Sequence, residues 1–237
     1  MSADSLVIVP TYNEKGNIEN ITRKVMSLQG NFHLLVIDDG SPDGTADIVK
    51  SLMKEFDGRL FIVERKGKLG LGTAYIAGFR WALERGYEYI FEMDADFSHN
   101  PDDLIRLKEA CVKGADLAIG SRYVKGGKIS KWDSQRLVMS YLASLYVRVV
   151  LWINVKDTTA GFKCYRRRVL ESIHFDDIRF IGYAFQIEMK YRTHKKGFKI
   201  VEVPITFTDR EVGVSKMSTK IFKEAIWGVL QMRFFKY

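Results

Sequence analysis

Residues 87–101 read Y-E-Y-I-F-E-M-D-A-D-F-S-H-N-P, a short apolar run that empties into two carboxylates one residue apart. Tyr89, Ile90, Phe91 and Met93 have the β-branched and aromatic character of a buried strand in a parallel sheet, with no breaker among them. Asp94 and Asp96 then stand at the strand's carboxyl end, where open α/β sheets place their ligands. The two-residue period of an extended chain sets both carboxylates on one side, so they can share one hard cation. Magnesium suits such a pair: it takes oxygen ligands from one or two carboxylates and completes its shell with water and substrate phosphate. Judged alone, the pair reads more readily as a solvated turn with a helix cap, since Asn100, Pro101, Asp102 and Asp103 form a helix start. The rest of the chain decides between them.

Toward the amino terminus the same strand-into-carboxylate pattern recurs. Residues 6–9 make a short buried strand, whose ladder Pro10 is expected to end, and Thr11-Tyr12-Asn13-Glu14 forms a polar loop into a helix over 17–28. Ile18, Ile21, Val25 and Leu28 give that helix one apolar face. A second strand over 33–37 runs into Asp38 and Asp39, a glycine- and proline-containing turn leads to a helix over 46–56, and 60–63 is a third strand. Residues 65–73, R-K-G-K-L-G-L-G-T, combine basic residues and glycines before a helix over 74–85. Such a loop can offer N–H groups and cations to a phosphate, although it lacks the P-loop pattern and, judged alone, its glycines are better explained by turn geometry. Beyond the Asp pair come a helix over 102–113 and a strand over 115–120 that ends at Ser121-Arg122-Tyr123. Strand–helix units in succession predict an α/β fold, a mostly parallel sheet covered by helices on both faces. No repeat or linker interrupts the chain, so residues 1–237 are expected to form a single domain.

A net charge of +8 over 237 residues calls for an anionic partner: nucleic acid, a phosphorylated small molecule or an anionic membrane surface. Cys111 and Cys164 have no metal-ligand spacing, which favours a reducing, cytoplasmic setting, and the early apolar run leaves no room for a signal peptide.

Residues 137–155 are almost continuously apolar. Arg148 lies well inside that run, where a membrane span would bear about 2.5–3.5 kcal/mol for it. A helix packed on the domain or lying in the membrane interface is the better reading, with Trp132 and Trp152 compatible with either. Residues 216–237 alternate Ile221, Phe222, Ile226, Trp227, Leu230, Phe234 and Phe235 with Lys220, Lys223, Arg233 and Lys236. That pattern describes either a helix closing the domain or one docking on a membrane surface, so the sheet is expected to be followed by C-terminal amphipathic helices. Residues 198–203 and 205–207 read as strands around Pro204, and 208–216 as a polar surface loop.

The ends of the first, second and fourth strands thus present Tyr12 and Glu14, Asp38 and Asp39, and Asp94 and Asp96, the layout of a nucleotide site with a metal-bound diphosphate. Here the sequence resembles the family-2 glycosyltransferases of the GT-A (Rossmann-like) fold, and within them the short class of dolichol (polyprenol) monophosphate mannose synthases. The stretches that carry the resemblance are I-V-P-T-Y-N-E, V-I-D-D-G-S-P-D-G-T, G-K-L-G-L-G-T-A-Y-I-A-G-F, M-D-A-D-F-S-H-N-P, G-S-R-Y-V-K-G-G, D-T-T-A-G-F and D-R-x-x-G-x-S-K, in order from residue 8 to 216. The resemblance implies that Pro10, Tyr12, Glu14, Ile37 and Asp39 hold guanosine. It implies that Asp94 and Asp96, with Ala95 between them and Ser98 close by, hold Mg2+ or Mn2+. Arg122, Arg210 and Lys216 match residues that hold donor or acceptor phosphate, and Arg136 with Ser140 the acceptor-phosphate side. The implied reaction is inverting transfer of mannose from GDP-mannose to polyprenyl or dolichyl phosphate by a protein held peripherally on the cytoplasmic face of a membrane.

Chemistry agrees with that implication. A phosphate monoester acceptor, with a second pKa of about 6, is largely ionised at pH 7 and needs no general base. Its difficulty is repulsion from the donor diphosphate, which arginines relieve by forked contacts. A UDP-glucose-dependent transferase using the same lipid phosphate is the first competitor, and a non-catalytic lipid- or nucleotide-binding module the second. Nucleic acid is not expected as a partner, because the carboxylate pairs would repel it and no nucleic-acid motif is present.

Overall fold

The structure, a computed structural model, describes residues 4–209 and 219–234, with the side chains of 219–225 left aside. Its first half is a run of alternating strands and helices: β1 (Ser5–Thr11), α1 (Ile18–Met26), β2 (Phe32–Asp38), α2 (Thr45–Met53), β3 (Leu60–Glu64), α3 (Leu71–Glu84), β4 (Tyr89–Glu92), α4 (Asp103–Val112) and β5 (Leu117–Ser121). The second half holds β6 (Lys128–Ser130), α5 (Ser134–Leu151), β7 (Lys163–Arg166), α6 (Arg167–Glu171), α7 (Ala184–Lys195), β8 (Ile200–Pro204), β9 (Thr206–Thr208) and α8 (Thr219–Phe234).

Seven strands form one sheet in the order β3-β2-β1-β4-β7-β5-β8. All its pairings are parallel except those of β7, which runs antiparallel to both β4 and β5. Side chains along β1 divide by the period of two: Leu6 and Ile8 join the apolar cluster on one face, Val7 and Val9 that on the other. The first cluster is completed by residues of α3, α5, α6, α7 and α8, the second by α1, α2 and α4. Helices therefore cover both faces, as the strand–helix alternation predicts. Close approach of α3 requires glycine at one point, because a Cβ on Gly78 would stand 2.7 Å from Ile8.

One expectation is corrected, and one element is new. Pro10 lies inside β1, in register with Ile37. Its missing N–H costs nothing there: β1 hydrogen-bonds β2 through Thr11, while on Pro10's side β4 has already ended, at Glu92 opposite Ile8. The unexpected element is β7. Residues 163–166, K-C-Y-R, carry charges at both ends and no apolar alternation, yet Lys163, Cys164 and Tyr165 are fully buried in the middle of the sheet. Cys111 and Cys164 are both buried and free.

No helix among the described residues is long and apolar enough to cross a membrane.

Candidate active site

The carboxyl ends of β1, β2 and β4 lie side by side, and each delivers the polar residues that follow it. After β1, Thr11 Oγ1 donates to Asp38 Oδ1 at 2.8 Å, tying the first two strand ends together. Asp38 also accepts the Ser41 N–H and hydroxyl, so it braces the turn into α2. Asn13, in a left-handed conformation (φ 61°), turns the loop so that the N–H groups of Asn13, Glu14 and Lys15 reach Ser41, Thr45 and Asp43. Asp39 is buried against Arg65, whose Nε donates at 2.6 Å, and Arg65 reaches on to Thr73 at the start of α3. Lys68 hangs over the Tyr12 ring at 5.3 Å. The basic loop over 65–73 therefore lines the same mouth as Tyr12, Glu14 and Asp39. The Gly72 N–H is spent on Ile181 O, and a Cβ there would stand 2.8 Å from the Phe185 ring, so this glycine serves close packing against α7. Ile37, expected at the same mouth, is wholly buried in the core, and Pro10 is half-buried above it.

Asp94 and Asp96 follow β4. Asp94 is partly open to solvent, Asp96 is 8% exposed and accepts the Ser98 N–H on Oδ1 at 3.0 Å, and Ala95 is buried between them. Phe97 takes a left-handed conformation (φ 58°), which turns the chain sharply after the pair. His99 folds back beneath it. The Asp94 N–H donates to His99 Nδ1 at 3.4 Å, and the ring stacks on Phe162 at 4.9 Å. Burial pulls His99 down to about 4, with Asp96 acting in the opposite direction, so at neutral pH it accepts as an uncharged imidazole.

Directly under Asp94, at the last position of β4, Glu92 is fully buried. It pairs with Lys163 of β7 at 3.0 Å and accepts from Gln186 Nε2 of α7 at 2.7 Å, while Lys163 also donates to Gln186. Burial lowers Lys163 and the Glu92 charge opposes that shift. Tyr75 and Tyr165 close over these carboxylates, and burial raises both phenols well above their usual value. Sequence reasoning missed this group. Its signal was Glu92 itself, a carboxylate inside an apolar strand at the same two-residue period as Asp94 and Asp96.

A third cluster forms where β5 ends. Arg122 makes a forked contact with Asp157, Nε to Oδ2 at 2.7 Å and Nη2 to Oδ1 at 2.6 Å, and adds a bond to Thr159. Asp157 is also held through its N–H by Glu202 of β8. The Thr158 and Ala160 carbonyls of this turn accept from Lys190 of α7, a lysine only 1% exposed that burial holds well below its usual pKa. Arg122 and Arg136 converge on Trp132, their guanidinium carbons 5.5 and 4.1 Å from its ring centre. Arg136 pairs with Asp209 at 2.8 Å, and Ser140 accepts the Tyr123 hydroxyl at 2.7 Å. Arg122, Arg136 and Ser140 are thus gathered by the start of α5, with His99 and Trp132 both edge-on to Phe207 of β9. Arg210 and Lys216 lie outside the described residues.

Among the described residues no three His, Cys, Asp or Glu side chains gather as a closed metal site. The donor set is a pair of carboxylates at a strand end, which fits an oxygen-loving cation that keeps water and phosphate in its shell.

The sequence profile of Glycosyl transferase family 2 matches residues 6–173. The chain is 49% identical over 230 residues to the polyprenol monophosphomannose synthase of Mycolicibacterium smegmatis, covering 95% of this chain and 87% of that one. It is 48% identical to the undecaprenyl-phosphate mannosyltransferase of Micrococcus luteus, covering 94% and 93%. Among solved structures, a mannosyltransferase from Pyrobaculum calidifontis in complex with GDP-Man and Mn2+ matches at TM-score 0.60 and 14% identity, over 98% of this chain and 70% of that one. Glucosyl-3-phosphoglycerate synthase from Mycobacterium tuberculosis, in complex with Mn2+, UDP and phosphoglyceric acid, matches at TM-score 0.71 and 17% identity, over 99% and 80%. At those identities the likeness is one of fold, and it is the α/β, GT-A-like fold that the sequence resemblance implied.

Proposed function

The chain belongs to glycosyl transferase family 2, and from that premise we propose that it transfers mannose, with inversion, from GDP-mannose to the phosphate of a polyprenyl phosphate. The observation that carries the substrates is near-half identity, along almost the whole chain, to two enzymes named for mannosyl transfer to such lipids.

The residues divide the work. Tyr12, Glu14 and Asp39, with Arg65 and Lys68 around them, form the wall for the nucleoside end of the donor. Pro10 shapes the strand end behind it, and Ile37 supports from the core. Asp94 and Asp96 would hold Mg2+ or Mn2+, with Ser98 fixing Asp96 through its N–H. When bound, that ion supplies charge stabilisation to the diphosphate leaving group. Neutral His99 accepts the Asp94 N–H and so orders the loop without adding a charge beside the carboxylates. On the acceptor side, Arg122 is set rigidly by Asp157, and Arg136 and Ser140 stand next to it, a surface that can receive a phosphate monoester. An acceptor already ionised attacks without losing a proton, so the site has no need of a base there. Arg210 and Lys216 are proposed as further phosphate contacts.

We place the protein on a membrane surface, with residues 1–237 as one catalytic domain. Val138, Tyr141, Leu142, Leu145, Val149 and Trp152 are exposed. At about 100° per residue the first five form one stripe along α5, opposite the face that packs Val147 and Leu151 into the core, and Trp152 follows just past the helix end. Ile226, Trp227 and Phe234 of α8 are exposed as well.

The test is acceptor chemistry. With GDP-mannose as donor, the protein is expected to mannosylate a polyprenyl phosphate and to leave the corresponding polyprenol untouched. Equal transfer to the alcohol would contradict a site built for a phosphate.

A further inference from the structure

Arg148 lies on the border between the packed and the exposed faces of α5, beside the apolar stripe. Its Nε is enclosed yet hydrogen-bonds to no protein group, and among the described residues no carboxylate pairs with it. It lines a crevice of about 280 Å³ with Leu145, Val149, Trp152, Ile153 and Asn154. The Arg233 guanidinium of α8 lies 4.7 Å from the centre of the Trp152 ring, one wall of that crevice. Trp152 itself is 75% exposed and held at a left-handed φ of 53°, a conformation bulky residues seldom adopt. Arg148 is half-buried with no carboxylate partner among the described residues, and an anion at the crevice would complete its charge. The crevice is open, mixes polar and apolar walls, and adjoins the exposed apolar side of α5, which is the setting of a lipid headgroup rather than of a protein carboxylate.

We infer that the crevice at Arg148 and Trp152, with Arg233 beside Trp152, binds the headgroup phosphate of an anionic membrane phospholipid, a site separate from the acceptor site. The helical rise of ~1.5 Å per residue puts Arg148 about 18 Å along α5 from Arg136. One lipid phosphate is held at each end of the helix: the acceptor at Arg136, a bulk phospholipid at Arg148. The apolar stripe enters the acyl region between them, and Trp152 sits at headgroup depth. Arg148 thereby orients α5 in the interface plane. The inference rests on the membrane-surface placement proposed above.

Vesicle flotation of the full chain tests it. Wild-type protein is expected to bind phosphatidylglycerol-containing vesicles more tightly than pure phosphatidylcholine vesicles. Arg148→Gln should lose that preference, with roughly tenfold weaker binding to the anionic vesicles and unchanged binding to the neutral ones. Arg148→Lys keeps the charge and should recover only part, because an ammonium lacks the fork. Lys113→Gln, just past the end of α4 at the opposite face of the sheet, should change nothing, and thermal melting of each variant confirms its fold. Turnover of Arg148→Gln on a short-chain, detergent-soluble polyprenyl phosphate should stay at the wild-type level. The inference is overturned if Arg148→Gln binds anionic vesicles like wild type, if Lys113→Gln loses as much, or if turnover on the soluble acceptor falls. It is also overturned if inorganic phosphate at constant ionic strength releases the protein, which would assign the crevice to a soluble anion. Wild-type protein that floats equally with both vesicles sinks this inference alone, whereas protein that floats with neither sinks the membrane placement too.

Discussion

At the scale of single residues, the site is defined as much by what is buried beneath it as by what faces the substrate. Glu92 carries its charge in the core one pleat below Asp94, and Lys163 is its compensation. Removing one member of a buried pair leaves the other unpaired, so Lys163→Met is expected to lower unfolding free energy by roughly 3–5 kcal/mol. The double variant with Glu92→Leu should recover most of it. Urea denaturation checks both, and a Lys163→Met protein as stable as wild type would contradict the pairing. Asp157 gives a pH signature. Burial pushes its carboxyl up, but the Arg122 charge and hydrogen bonds more than offset that and hold it below the usual 3.8. A carboxyl depressed in the folded state contributes stability above its unfolded pKa and loses it as pH falls through the folded one. Stability should therefore decline below about pH 4, and Asp157→Asn should be less stable at neutral pH with a flatter acid limb. A variant with the wild-type acid limb in denaturant titrations would show that Asp157 adds nothing to it.

At the scale of elements, α5 joins the two halves of the account. Its start carries Arg136 and Ser140 to the end of β5, and its length carries an apolar stripe outward. If Arg136 faces the acceptor, Arg136→Ala should raise KM for polyprenyl phosphate by the loss of a charged hydrogen bond, ~1.5–3 kcal/mol, or roughly ten- to a hundredfold. KM for GDP-mannose should hold, and Arg136→Lys should restore part. A raised KM for the nucleotide sugar with the lipid spared would reverse the assignment. Strands ending in carboxylates were readable because β-branched runs and a two-residue period are local properties. So was the helix over α5, although whether it crossed or lay along a membrane rested on one arginine. Strand β7 was not readable. Lys163 is a charged residue made acceptable at the sheet's centre only by Glu92 and Gln186, distant in sequence, and nothing local signals that. Pro10 misled for a related reason: a proline ends a ladder only where a neighbouring strand is present to miss its N–H.

At the scale of the whole molecule, the sheet concentrates function on one edge. The residues proposed for the nucleoside follow β1 and β2, the carboxylate pair follows β4, and the arginines follow β5 and open α5, so the proposed donor, cation and acceptor sites would succeed one another along the strand ends. The carboxylate pair and the flanking aromatic and acidic residues were legible from the chain alone. The partners that hold Arg122 were not, because Asp157 and Thr159 grip it from a distant turn that Glu202 and Lys190 brace from two further segments. Fold likeness to a UDP-binding synthase does not choose the donor; near-half identity to mannosyl-lipid enzymes supports GDP-mannose. The most direct measurement is formation of glycosylated polyprenyl phosphate from GDP-mannose and from UDP-glucose, each with wild-type protein and Asp96→Asn, in the presence of Mg2+ or Mn2+. The account predicts mannosyl-lipid from GDP-mannose with wild-type protein only, and an Asp96→Asn variant that melts within about 1 kcal/mol of wild type but does not turn over. Glucosyl-lipid formed in preference, or full turnover by Asp96→Asn, would contradict it.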